Sequence, residues 1–554
     1  MAVEVGILSD DDSPKIRFVR YLYIGKEYPV YHSGTWASQN HFAMDQLSSV
    51  EQLAADKETE LFPIERIKHI FDTELVEKPE TLIFALAACA KQEKSMNLRQ
   101  SAYNFIAEKC KNPEHFMLFI KFTTQLSRQS IIPKHGWGHG LRNAVNRWYL
   151  SRDALNLAES VTKYKSRHGW KHKDIIKLSH PVTKTLGTDV QAIFNYIMHG
   201  LDKTKLQFEN ESKAADIIQL IGRIEDFRQC DDAVRAAGLI RTWRYTFDHL
   251  HSRLIKSPEV WEALIETMDL PTLIGNLQKL YNLGLLTPNS QIIEKLLSAI
   301  TDKSQIIKSK IRPAVLLVAV KNYEDPDRVP VYAKRKVARK NKLKHRQLPI
   351  PDKRIVDALY SALNISFSNI EPTGLKYLIT VSTDGWRKKP VAQQPSSEIN
   401  KAWIVEAACI LTLGLLRADE KVTISAFTAT EGLNTRPVHI DKNATFLEAV
   451  EKMKSRSAIP PNSGKPILWA AHHRRKYDVF INVVDKMREK YDFTARAMDL
   501  YKKKMNLPKT RLVNWVVGST STYMEGKHVS DILTICGFDA HTPKIIEAFA
   551  KHQF

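Results

Sequence analysis

Acidic residues are in short supply in this chain: 61 Asp+Glu face 82 Lys+Arg, which leaves a net charge of +21. Such an excess points to a polyanionic partner, either nucleic acid or an acidic membrane surface. Long apolar runs are also missing. None approaches the roughly 18 residues that a bilayer-spanning helix needs, and the opening segment MAVEVGILSDDDSP lacks the basic-then-apolar order of a secretory signal. No membrane association is expected, and the expected location is the cytoplasm, with the nucleus as a second site. Cysteine is scarce. Cys89, Cys110, Cys230, Cys409 and Cys536 are odd in number and widely spaced, several of them in apolar settings such as ALAACA and EAACIL. That pattern reads as reduced core residues and argues against a disulfide framework. Catalytic signatures are absent too: there is no HExxH and no GxSxG, and NSGKP lacks the preceding glycine and spacing of a Walker loop. An enzyme is not expected, a nuclease assembled from distant residues being the one catalytic alternative. His135 and His139 in HGWGH stand four apart, but the glycines between them mark a turn.

With 554 residues and 43% hydrophobic content, the chain has material for two or more large domains. From about residue 60 to 320 it is a succession of amphipathic helical stretches, among them ETLIFALAACAKQ, EHFMLFIKFTTQLS, DVQAIFNYIMHG and NSQIIEKLLSAI. Strand signals are nearly missing there. Serial helix pairs that each bury one face predict an α-solenoid of the HEAT type, although no fixed sequence period supports the repeat. A basic run, Lys334 to Arg346, follows; it reads as a mobile charged loop, an RNA-contacting segment or a localisation signal. Beyond residue 351 strand-like runs (GLKYLITVS, KVTISAFT, YDVFINVV, TRLVNWVV) alternate with helical ones. This βαβ pattern predicts a doubly wound sheet with a ligand crevice at the carboxyl ends of its strands. The expected organisation is therefore a mainly α chain, with a helical domain over 1–350 and an α/β domain over 351–554.

The segment KYKSRHGWKHKDIIKLSH, Lys163 to His180, carries six Lys/Arg and three His around a single acid, Asp174. Upstream, Ala154, Leu157, Ala158 and Val161 recur at helical spacing and face a core, with Asp153 placed to cap the helix. Lys163 lies about 200° round the helix from Val161, so it points outward, and Arg167 shares its face if the helix continues. Gly169 breaks the pattern, Trp170 offers a flat aromatic surface, and a second short helix from about His172 carries Lys173 and Lys177 on one side before Pro181 stops it. Lys171 belongs to the same basic corner. The competing reading is a solvated charged helix, but the run lacks the interleaved Glu residues that would neutralise it. No Cys or Glu completes a metal-ligand spacing with the three histidines.

The order LRQSAYNFIAEKC, GWGHGLRNAVNRWY, VTKYKSRHGWKHKDIIKLSH, then SPEVWEALIETMDLPTLIGNLQKL, IEPTGLKYLI, YDVFI and ICGFD resembles the TROVE-domain family over most of the chain. The resemblance implies a ring-like α-solenoid of HEAT-type helix pairs followed by a von Willebrand factor A-like domain. It also implies two RNA partners: structured Y RNA-like small noncoding RNAs on a basic outer surface, and misfolded small RNAs whose single-stranded ends enter a central hole. Lys163 and Arg167 match the family's basic positions in TKYKxR, His180 closes the LSH motif, and Arg142 and Lys121 match further basic positions. Trp137, Tyr149 and Trp170 are the aromatic candidates for base stacking.

The same resemblance implies a metal-ion-dependent adhesion site, and here the pattern fails. Ser382 stands where the first Asp belongs, Asp384 where the first Ser belongs, and Trp386 where the second Ser belongs; Asp485 alone keeps its carboxylate, and Ser463 is the nearest hydroxyl to the missing Thr. A hard divalent cation needs a cage of oxygens. Asp384, Asp485 and Ser382 thus form a degenerate site, either empty or holding a weakly bound Mg²⁺ through waters, and no cofactor is required. The leading function is a non-catalytic RNA-binding protein of a small cytoplasmic ribonucleoprotein, acting in RNA quality control. The alternative is a protein-interaction scaffold whose A-like domain recruits protein partners.

Overall fold

The computed structural model describes residues 12–34, 42–76, 79–129, 137–324, 350–382, 391, 402–427, 435–454, 462–487, 491–519 and 529–554. The basic run at 334–346 and Asp384 lie outside them. The chain forms two compact units, one of Arg17–Leu22 and Asn40–Thr267, the other of Met1–Ile16, Tyr23–Gln39 and Met268–Phe554. The first is called the helical unit below and the second the sheet unit.

Helix α1 (Pro14–Ile24) is followed by α2 (Ser49–Ala55), α3 (Phe62–Asp72), α4 (Glu80–Lys91), α5 (Met96–Glu108), α6 (Pro113–Gln129), α7 (His139–Leu150) and α8 (Ala154–Lys163). Then come α9 (His172–Ser179), α10 (Thr188–His199), α11 (Leu201–Gln207), α12 (Ser212–Gln229), α13 (Ala233–Trp243) and α14 (Pro258–Thr267). Within the helical unit most helices pack on neighbours one or two places along the chain, α4 on α5 and α6 and α5 on α7, while α8 packs on α10 and also on α12, four places on. That local pattern is the solenoid arrangement expected from the helix succession. Helix α4 is apolar on every side and every residue from Thr81 to Ala90 is buried, as a helix at the centre of its neighbours should be. Side-chain caps define the starts: Ser95 Oγ accepts from Leu98 N, and Asp153 Oδ1 from Asn156 N at 2.9 Å.

The sheet unit opens with helices α15 (Leu270–Leu283), α16 (Gln291–Thr301), α17 (Lys303–Ser309), α18 (Pro313–Glu324) and α19 (Lys353–Ser366). Its strands are β1 (Val30–His32), β4 (Tyr377–Val381), β5 (Val422–Ala426), β6 (Arg436–Pro437), β7 (Val479–Val484), β8 (Arg511–Val516) and β9 (Ile532–Cys536), the labels β2 and β3 belonging to a hairpin described below. They form one seven-stranded sheet in the order β1-β9-β8-β7-β4-β5-β6, parallel except for the antiparallel β6. Helices α20 (Ile404–Ala418), α21 (Phe446–Lys454), α22 (Lys465–His472), α23 (Tyr491–Met505) and α24 (Thr542–Ala550) alternate with the strands. Strands β4, β7 and β9 are buried throughout, because a parallel sheet is covered on both faces. The architecture is thus mainly α, with a C-terminal domain built on a mainly parallel sheet.

Strands β1, β6 and β9 add to those expected from the sequence. Strand β1 is three residues long and is held by its partner: Val30 and His32 register with Thr534 and Cys536, and Tyr31 Oη and Gly34 N both donate to Asp539 Oδ2.

Candidate nucleic-acid interface

Helix α8 stops at Lys163, and Tyr164 follows as its cap, with its N–H on Ser160 O at 3.0 Å. The helix therefore does not extend to Arg167, as the shared-face expectation required. The chain instead enters a short antiparallel hairpin, β2 (Ser166–Arg167) and β3 (Trp170–Lys171), with Arg167 opposite Trp170. Its two turn residues, His168 and Gly169, both have positive φ, +52° and +83°, the type I′ geometry that matches strand twist. Lys163 and Arg167 still meet, on one aromatic ring: Lys163 Nζ lies 5.3 Å and the Arg167 guanidinium carbon 5.1 Å from the centre of Tyr164. Tyr164 acts as a spacer that orients two cations.

Acids from elsewhere in the unit complete this corner. Arg167 Nη2 binds Asp248 Oδ1. Arg228 of α12 donates to the carbonyl of Thr162 at the end of α8. Lys165 pairs with Glu225 at 2.7 Å, and Tyr196 Oη donates to the same carboxylate. Burial pushes the Glu225 carboxyl upward, but the bonds from Lys165 and Tyr196 outweigh it and leave it below the usual range. His249 is pushed down to about 4 by burial and by Arg228 and Lys163, so it is neutral at pH 7 and adds no charge. None of these acids belongs to the basic segment, so no local motif announces them.

The second helix of the corner, α9, buries His172, Ile175, Ile176 and Ser179 and exposes Lys173 and Lys177. Lys171 and His180 are exposed as well. His180 ends α9 in the left-handed conformation, φ 49°, with its N–H on Ile176 O, and Asn146 Nδ2 donates to the carbonyl of Ser179 at 3.1 Å. His172 is not part of the surface. Its Nδ1 lies 2.7 Å from Tyr149 Oη, and burial, with Arg152, holds it down at about 3.

Lys121 joins the corner from another helix. It lines an open cleft of about 680 Å³ with Thr124, Gln125, Arg128 and Gln129 of α6, His168, Gly169 and Trp170 of the hairpin, and Asp174 of α9. Trp170 is the half-buried aromatic in this cleft; Trp137 lies 5.7 Å from it but is 8% exposed, and Tyr149 is fully buried. Trp137 and Tyr149 are therefore core residues and do not serve as stacking platforms; Tyr149 is enclosed by the rings of Phe116, Trp148, His172 and Phe194. Arg142 sits half-buried in the first turn of α7, and among the described residues no hydrogen bond or ion pair links it to the Tyr164 group or to the cleft.

In the sheet unit, Ser382 and Asp485 follow the carboxyl ends of the adjacent strands β4 and β7, with Ser382 N on Val483 O at 2.9 Å. Gly518 approaches the Asp485 carboxylate so closely that a Cβ there would fall 1.8 Å from Oδ1, and this oxygen is sealed from solvent. Among the described residues no group of three or more His, Cys, Asp or Glu is arranged to hold a metal ion. Among the described residues the site has one carboxylate, Asp485, and the Ser382 and Ser463 hydroxyls, fewer than the six or more oxygens that a divalent cation takes.

A model of the TROVE domain matches residues 37–236 and 239–374, and a model of the Ro60 vWA domain matches residues 377–550. The chain is 28% identical over 484 residues to the RNA-binding protein RO60 of Deinococcus radiodurans, covering 86% of this chain and 82% of that one. It is 24% identical over 541 residues to the RNA-binding protein RO60 of Caenorhabditis elegans, covering 85% and 78%. The crystal structure of the Deinococcus radiodurans RO (RSR) protein superposes with a TM-score of 0.79 at 23% identity, over 98% of this chain and 100% of that one.

Proposed function

Because the chain belongs to the TROVE family, we propose that it is a non-catalytic RNA-binding protein whose ligands are small structured noncoding RNAs of the Y RNA type. Two relatives that match most of this chain are named RNA-binding proteins. The observation that carries the reading is the cationic corner: Lys163 and Arg167 oriented on Tyr164, beside the exposed Lys171, Lys173, Lys177 and His180. Its chemistry suits a phosphate backbone. Lysine supplies point charges, arginine a planar fork for two phosphate oxygens, and neither reads sequence. Duplex RNA is recognised by its shape and backbone, since its deep major groove hides the base edges.

Single-stranded ends of misfolded small RNAs are the second proposed ligand class, and the cleft beside Trp170 supports it. Lys121 and Arg128 supply cations there, Trp170 an aromatic face, and Gln125 and Gln129 polar groups. A location in the cytoplasm accords with five free and buried cysteines, a reduced set that an oxidising compartment would not favour. The degenerate site at Ser382 and Asp485 is proposed to work without metal. The test is to immunopurify the native protein, sequence the RNA that accompanies it, and repeat with Lys163→Ala/Arg167→Ala. Short structured RNAs that vanish in the variant support the proposal. Absence of RNA above background sinks it and turns attention to protein partners of the A-like domain.

A further inference from the structure

The parallel sheet brings a second set of cations together at the end of its strands remote from Ser382 and Asp485. The register aligns Tyr377, Val479 and Arg511 as first residues of neighbouring strands, so the segments leading into β7 and β8 emerge side by side. Into β7 leads His472–Lys476, exposed at every position and containing Arg474, Arg475 and Lys476. Into β8 lead the last turn of α23, with Lys502, Lys503 and Lys504, and then Lys509.

One buried side chain fixes both segments. Tyr501 is fully buried among Ile467, Ala471, Tyr477 and Met505. Its hydroxyl donates to Arg475 O at 2.9 Å and accepts from Tyr477 N at 2.6 Å. The strap that carries the arginines is therefore bolted to the helix that carries the lysines, a rigid placement that a solvated loop would not need. Of the acids at this edge, Asp531 accepts Lys502, Asp478 accepts the Lys376 amide at 2.9 Å and Asp419 accepts the Thr373 and Gly374 amides, while Glu420, leading into β5 two strands from β7, and Asp499, one turn before Lys503, are exposed and leave the six cations in excess. Among the described residues no ion pair takes up Arg474, Arg475, Lys476, Lys503, Lys504 or Lys509. Helix dipoles account for a cation or two at the ends of α22 and α23, and not for six. An aromatic pair flanks the arginines, with the ring of His473 5.2 Å from that of Trp469. Cations beside an aromatic face favour nucleic acid over an acidic polypeptide.

We propose that this edge is a second RNA surface, which binds the phosphate backbone of a single-stranded segment through Arg474, Arg475, Lys476, Lys503, Lys504 and Lys509. It rests on RNA being a ligand of this chain, and not on the corner at Lys163. The test uses the full chain and a fluorescent oligouridine of about 20 nucleotides, long enough for one such groove, with anisotropy read at stepped KCl concentrations. Two variants are compared with the parent, Arg474→Ala/Arg475→Ala/Lys476→Ala and Lys503→Ala/Lys504→Ala, with melting curves to confirm folding. The triple variant is expected to bind about tenfold more weakly, with its salt slope reduced by about two, at roughly 0.7 per phosphate contact on a single strand. The double variant is expected to show a smaller loss in the same direction. Parental affinity and slope in both variants overturn the proposal, as does loss of poly-glutamate binding with oligouridine binding intact, which would make the edge a protein surface. Lys163→Ala/Arg167→Ala, measured alongside, separates the two readings: if it alone removes all oligouridine binding, this edge is not a site and the corner stands.

Discussion

Asp248 holds Arg167: its Oδ1 accepts Nη2, and both side chains are 31% exposed. A phosphate reaching Arg167 must displace or share with that carboxylate. The pair is half-open to solvent, so it is worth about 1 kcal/mol or less, a cost that a charge-assisted phosphate contact offsets. Asp248→Asn should therefore tighten binding of a Y RNA-like hairpin by up to about fivefold at low salt, the equivalent of that 1 kcal/mol. Filter binding in parallel with the parent chain decides it. Weaker binding by the variant would mean that Asp248 serves mainly to aim Arg167 and competes with nothing.

Lys163 and Arg167 should count separately in the salt dependence. Lys163→Ala/Arg167→Ala is expected to lower the slope of log K against log salt by about two for duplex RNA, at roughly 0.9 per phosphate. An unchanged slope with a merely shifted intercept would place the phosphates elsewhere.

How much of this corner could be read from sequence follows from the range of the forces involved. The apolar spacing of Leu157, Ala158 and Val161 located the buried face of α8, and the cap at Asp153 located its start. Its stop was hidden, because the hairpin at 166–171 is too short to show alternation and depends on His168 taking a conformation that only its context selects. Asp248 and Glu225 come from other helices, so no spacing rule could pair them with Arg167 and Lys165. In the sheet unit, β4, β7 and β8 were legible as apolar runs, since both of their faces are buried. Strand β1 was not, since three residues owe their strand state to β9.

Trp170 gives the cleft its own prediction. Base stacking on an aromatic face is worth about 1–3 kcal/mol per base. Trp170→Ala should weaken binding of a hairpin bearing a single-stranded tail by about tenfold or more, while a blunt hairpin, held by the lysines of α9, binds as before. Anisotropy with the two RNAs side by side checks this. Equal losses for both would show that Trp170 supports the hairpin fold and contacts no base.

The Ser382–Asp485 site predicts indifference to chelation. With Oδ1 of Asp485 closed over by Gly518, treatment with EDTA should leave both the melting temperature and RNA affinity unchanged, and Asp485→Asn should not alter metal content by elemental analysis. A fall in melting temperature on chelation, restored by Mg²⁺, would show that an ion is resident.

His172 makes the core beneath the corner sensitive to acid. Its folded value, about 3, lies below the 6.5 of an ordinary histidine because burial disfavours the charged ring. The unfolded chain therefore binds the extra proton first as pH falls. The stability that depends on a neutral His172 is fully present above pH 6.5 and is lost progressively down to about 3, at up to about 1.4 kcal/mol per pH unit. His249, at about 4, adds a second loss of the same sign over a narrower window. His172→Asn keeps a polar atom near Nδ1 for the Tyr149 hydroxyl but cannot take up the proton. Its melting temperature should fall less steeply than the parent's between pH 6.5 and 4, although it starts lower because the smaller side chain leaves a gap against Trp148. Parallel pH profiles in parent and variant would show that the acid sensitivity arises from His249 or from carboxylates, and that His172 takes up its proton as readily in the folded chain as in the unfolded one.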